Sequence, residues 1–125
     1  MERGAGMNDK HRDEILKEAV DEYGVILQVD ICIEEMAELT KALLKMRRHK
    51  ENNPLYMQDH KLYLNLHKNI LEEIADVQIM LDQMRIVYGF TLEVENSKID
   101  RLKTRLERDK KLIKDMERDA QHGKY

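Results

Sequence analysis

Four carboxylates in this chain have the types and spacing of metal ligands. The stretch IEEMAEL fills residues 33–39 and LEEIADV fills residues 71–77, and both follow one pattern: apolar, two glutamates, apolar, alanine, acid, apolar. On a helix, Glu35 and Glu38 are i,i+3 neighbours on one face, and so are Glu73 and Asp76. The residues four positions beyond them are Leu39, Ala42, Val77 and Met80, so none has a basic i+4 partner. Ile31 and Ala42 flank the first pair on the helical wheel, while Leu62, Met80 and Met84 flank the second. Both pairs therefore sit inside apolar stripes, with Glu34 and Glu72 at the stripe edges. If the two segments face each other in an antiparallel hairpin, the four acids converge. At an effective dielectric of 20, two charges about 5 Å apart repel by roughly 3 kcal/mol. Such a cluster is either protonated or neutralised by cations, and an all-oxygen donor set suits Mg2+ or Mn2+. Iron fits less well. Bundle-core di-iron sites use Glu-x-x-His pairs, and no histidine follows a glutamate by three positions in this chain. His11, His49, His60, His67 and His122 show no ligand spacing with one another and read as surface or interface residues.

The elements that must carry these acids read as four helices, an all-α chain with no convincing strand. The first spans about Asp9 to Tyr23 and ends at Gly24. The second runs from about Val25 to His49, where Glu51-Asn52-Asn53-Pro54 breaks it. A third begins between Met57 and Leu62 and reaches Tyr88, before Gly89. Thr91 is the expected N-cap of the fourth, with Glu93 and Glu95 in its first turn. The expected layout is a single helical domain over 9–119 with disordered tails at 1–8 and 120–125. On the second helix, Ile31, Leu39, Ala42 and Met46 lie on one side, while Val29, Ile33, Met36 and Leu44 lie largely on another. A helix apolar on two sides needs neighbours on both, which predicts a bundle completed by self-association as a homodimer or homotetramer. The fourth helix adds the a/d-like series Leu92, Ile99, Leu102, Leu106, Ile113 and Met116, interrupted by Glu95 and Asp109, which reads as a bundle or dimer seam.

Composition narrows the partners. With 22 basic and 25 acidic residues among 125, the net charge is −3, so no general basic field exists for nucleic acid. No apolar run approaches the roughly 18 residues of a membrane span. Cys32 is alone, so no intrachain disulfide forms and a reducing, cytoplasmic setting is expected. Just before paired glutamates, Cys32 reads as a packed core residue rather than a reactive thiol. Two function classes fit: a metal-dependent enzyme, and a non-enzymatic helical dimerisation or interaction module with an acidic surface.

Glu34-Glu35-Met36-Ala37-Glu38, followed by Glu73-Ile74-Ala75-Asp76, resembles the EExxE…ExxD signature of the MazG-like, all-α nucleoside triphosphate pyrophosphohydrolases. Downstream, Asn96-Ser97-Lys98-Ile99-Asp100-Arg101 resembles that superfamily's Asn-x-Lys-φ-x-Arg element. The likeness covers residues 25–106 or so. Between Glu38 and Glu73 this chain is longer than the family pattern, through residues 47–66, which implies a lengthened hairpin or an added short helix. The resemblance implies a four-helix, MazG-like bundle that cleaves (deoxy)nucleoside triphosphates between the α and β phosphates, giving monophosphate and pyrophosphate, in nucleotide-pool sanitation or balance. It implies Mg2+ ligands at Glu35, Glu38, Glu73 and Asp76, and flanking acids at Glu34 and Glu72 that orient or deprotonate water. Asn96, Lys98 and Arg101 would meet phosphate or sugar oxygens. Lys41 and Lys45, one and two turns beyond the acids, are further phosphate candidates. The first helix with Gln28, Ile31 and Cys32 is a positional guess for the base pocket, and purine and pyrimidine stay equally open.

Overall fold

The structure, a computed structural model, describes residues 9–52 and 59–123. Every regular element among them is a helix: α1 (Asp9–Tyr23), α2 (Val25–Asn52), α3 (His60–Tyr88) and α4 (Leu92–Gln121). None of these helices is long and apolar enough to cross a membrane. The chain divides into two compact units, one up to Gly89 and one from Phe90 onward.

In the first unit, α2 and α3 pack against each other along their length and α1 packs on both. Chain connectivity fixes the direction of the pair. A helix of 28 residues is about 42 Å long, whereas the seven residues 53–59 reach at most about 25 Å. α2 and α3 must therefore run antiparallel. Of residues 47–66, expected to lengthen the hairpin or add a short helix, residues 47–52 continue α2 and residues 60–66 begin α3. Pro54, expected to break the second helix, lies outside the described residues.

The core is small. Leu16 and Val20 come from α1, Cys32, Ala42 and Met46 from α2, and Val77 and Met80 from α3, each pair or triple at helical spacing. Burial raises the pKa of the Cys32 thiol, as expected of a packed core cysteine. Polar side chains also enter the core. The Gln28 amide donates to the Ala19 carbonyl at 3.3 Å, tying α2 back to α1 across Gly24. Buried Asp82 accepts from Arg12 of α1, from Arg85 one turn on at 2.6 Å, and from Gln78 at 3.1 Å. Its pairing with Arg12 is a charged link between α1 and α3.

Glycine ends two helices where the backbone demands it. Gly24 takes φ +88°, with its N–H on the Val20 carbonyl, and lets α2 start after a single residue. Gly89 takes φ +125° and ψ 167°, a region open only to glycine, and its N–H closes on the Arg85 carbonyl. At the other end of α3, Asp59 caps the helix by accepting from the Leu62 N–H at 3.2 Å.

The second unit is α4. It buries none of its residues, and its apolar series Leu92, Ile99, Leu102, Leu106, Ile113 and Met116 is exposed. Thr91 occupies the N-cap position as expected, but its side chain makes no cap bond. The hydroxyl instead donates to the Glu95 carboxylate at 2.6 Å, while the Thr91 carbonyl receives the Glu95 N–H. The helix runs on to Gln121, into the first residues of the segment expected to be disordered.

Candidate metal centre

Glu35 of α2 and Glu73 and Asp76 of α3 come together in the middle of the antiparallel pair. One carboxylate oxygen from each lies within 4.8 Å of the others. Local sequence explains the convergence. Cys32, Ala42 and Met46 turn one stripe of α2 towards the core, and Glu35 is one turn beyond Cys32 on that stripe. On α3, Val77 and Met80 face inward, and Glu73 and Asp76 occupy the turn before them. Glu35 and Glu73 are consequently half-buried, while Asp76 stays exposed and opens the group to solvent.

Electrostatics mark Glu35 as the strained member. Partial burial pushes its carboxyl pKa above the ordinary glutamate value, and the charges of Asp76, Glu73, Glu38 and Glu34 push it further the same way. Glu73 carries a second signature, because its Oε2 is buried and has no hydrogen-bond partner. A buried carboxylate oxygen without a donor costs desolvation that nothing in the protein returns.

These observations test whether a hard cation fits. Oxygens across a Mg2+ octahedron lie about 4.2 Å apart, and across a Ca2+ shell somewhat further. The observed spread is of that size, the donors are all carboxylates, and one of them lacks a partner. The residues present fit a divalent cation of the Mg2+ or Mn2+ type.

The other residues singled out from the sequence fall in different places. Glu38 is exposed and outside the close group, although its charge still acts on Glu35. Glu34 is exposed, and Glu72, also exposed, pairs loosely with Lys68 at 4.0 Å. Lys41 and Lys45 are exposed on α2. Asn96, Lys98 and Arg101 lie on the exposed first half of α4, in the second unit. Gln28 and Cys32 are buried, and Ile31 is half-buried. One polar centre was not read from the sequence: Asp82 with its two arginines. Arg85 at i+3 and Gln78 at i−4 were visible locally, but Arg12 is 70 residues away and nothing in the sequence announces it.

The raised Glu35 pKa has a pH consequence. An acid whose folded pKa exceeds its unfolded one binds more protons when folded, so stability falls as pH rises through the window between the two values. Metal-free protein is expected to gain thermal stability as pH falls from neutral into that window. Mg2+ affinity is expected to drop over the same range, because ligation needs the carboxylate. Melting curves at stepped pH, with and without Mg2+, check both signs; metal-free stability falling steadily from neutral pH through this window would contradict the first.

Comparison with protein-family models, with curated proteins and with solved structures gives no match.

Proposed function

We propose that the protein is a Mg2+-dependent nucleoside triphosphate pyrophosphohydrolase of the MazG-like kind, active on (deoxy)nucleoside triphosphates in nucleotide-pool sanitation or balance. The observation that carries this reading is the convergence of Glu35, Glu73 and Asp76, with the Glu73 Oε2 buried and unpartnered. The likeness of the two acidic heptapeptides to the family signature supplies the reaction.

Glu35, Glu73 and Asp76 would hold the cation, and Glu38, whose charge already acts on Glu35, would add negative charge beside it. Bound there, Mg2+ supplies the positive charge that a triphosphate needs and makes nearby water easier to deprotonate. Glu34 and Glu72, exposed and adjacent in sequence to Glu35 and Glu73, are the candidates to orient that water or take its proton. Lys41, on α2 with Glu35, is the candidate donor to phosphate oxygens. The assay is pyrophosphate release from a broad panel of ribo- and deoxyribonucleoside triphosphates in Mg2+ and in Mn2+. Release from at least one of them is expected; a panel silent with both metals would sink the enzymatic reading.

A second reading, a non-enzymatic helical interaction module, is favoured by one observation, the exposed apolar series of α4. It differs in requiring no response to Mg2+.

A further inference from the structure

Two acids that meet across the α2–α3 pair have matching neighbours along it. Glu35 on α2 and Asp76 on α3 bring carboxylate oxygens within 4.8 Å, which sets the register of the antiparallel helices. Seven residues back along α2 and seven residues on along α3 lead the same way, by about 10 Å, and return to within about 20° of the same line on each helix. Gln28 and Gln83 occupy those two positions. Between them and the acids stand Ile31 on α2 and Met80 on α3, each four residues from its acid. From the acids the pair therefore steps through an apolar level to an amide level, with the same class of residue on both helices at every step.

The amide level is closed to solvent, with Gln28 3% and Gln83 5% exposed. The Gln28 amide donates to the Ala19 carbonyl at 3.3 Å. The Gln83 Oε1 is buried and has no hydrogen-bond partner among the described residues. A buried acceptor left so is a standing cost, and a donor that reaches it in low-dielectric surroundings gains more than it would at the surface. Packing gives no reason for an amide here, since leucine would fill position 83 without that cost.

A nucleoside triphosphate presents the same three classes in the same order: anionic phosphates, the apolar faces of sugar and ring, and a polar base edge. On the nucleotide reading of the acidic centre, on which this role rests, phosphates at Glu35, Glu73 and Asp76 leave the base to run along the pair towards Gln83. We infer that Gln83, with Gln28 at the same level, reads the base: the Gln83 Oε1 accepts an N–H of the base edge, and Ile31 and Met80 flank the ring. Entry is from the Asp76 end, where that side chain is exposed. Met80, unbranched and flexible, is the side chain that can move aside to admit the ring. Every common base carries such an N–H, so the amides select by where donor and acceptor lie along the edge. Gln83 is thus a specificity-determining residue, apart from the groups that hold the cation.

The test is titration calorimetry of the full chain, wild type and Gln83→Leu, in Mg2+. The ligands are tripolyphosphate and the deoxynucleoside triphosphates of adenine, guanine, cytosine, thymine and uracil with a methylene bridge in place of the α–β oxygen. Pyrophosphate release from the unmodified triphosphates is measured in parallel. Wild type is expected to bind one base about tenfold or more tighter than the rest. Gln83→Leu is expected to lose roughly tenfold to a hundredfold on that nucleotide, to bind all five alike and to keep its affinity for tripolyphosphate. Gln83→Met repeats the measurement if leucine lowers the helical circular dichroism. A variant that keeps the wild-type preference overturns the inference, and so does a wild type that binds all five bases alike; pyrophosphate release then leaves the hydrolase reading standing. A matching loss of tripolyphosphate affinity assigns Gln83 to the phosphate end and also overturns it. A preference abolished by Gln83→Leu, with no pyrophosphate released from any triphosphate, keeps the base-reading role and removes the hydrolase. A wild type that binds none of these ligands overturns both.

Discussion

Glu73→Gln is expected to abolish the stabilisation that Mg2+ gives the folded protein, and with it pyrophosphate release. At a Mg2+ concentration one hundred times its dissociation constant, a site present only in the folded state adds about 2.7 kcal/mol. For a chain of this size that is a rise of about 10 °C in melting temperature. Glutamine keeps the volume and the packing of the half-buried side chain but removes the charge, and its amide nitrogen cannot ligate. Without metal, the same substitution relieves the repulsion on Glu35, so the variant should melt no lower than wild type. This opposite pair of effects separates loss of a ligand from simple damage to the fold. Glu18→Gln on the exposed face of α1 serves as the control and should leave both values as they were. A Glu73→Gln protein that keeps the full Mg2+ increment would remove Glu73 from the site. Wild type that shows no increment at all would favour the interaction-module reading.

Asp82→Ala is the second large effect, and it acts on stability alone. Asp82 is 4% exposed and stands between Arg12 and Arg85, with Gln78 on the same oxygen as Arg85. Removing one partner of a buried ion pair costs about 3–5 kcal/mol, because the remaining charge stays desolvated. Both guanidinium groups here retain some water, which places the expected loss near the lower end, at about 3 kcal/mol. Arg12→Met should cost less, since Arg85 and Gln78 still satisfy the carboxylate. It removes the charged tie between α1 and α3, so hydrogen exchange in α1 should accelerate more than in α3. Denaturant titration of both variants measures the costs; an Asp82→Ala protein within about 1 kcal/mol of wild type would show that the ion cluster contributes little.

Much of the local structure was legible before any coordinates. Gly24 and Gly89 end helices with positive φ that other residues rarely adopt, and α1 has the bounds expected for the first helix, Asp9 to Tyr23. The acids on α2 and α3 could be placed on inward-turned stripes because i,i+3 geometry is a property of the helix alone. The end of α2 was less legible: it outlasts His49 and reaches Asn52, where the Arg47–Glu51 pair at 3.0 Å supports the last turns.

The sequence by itself determined the helices, their apolar stripes and the acids set into them, because these follow from 3.6-residue periodicity and the chain's own stops. Tertiary structure decided which of those acids meet. The pairing of α2 with α3 draws Glu35, Glu73 and Asp76 together and leaves Glu38 outside, a difference of rotation that depends on how two stripes interlock. It also decided that Asp82 and Arg12, 70 positions apart, would be buried partners. Separation along the chain carries no record of such a contact, since it is set by packing, and only the assembled helices bring the two charges within reach.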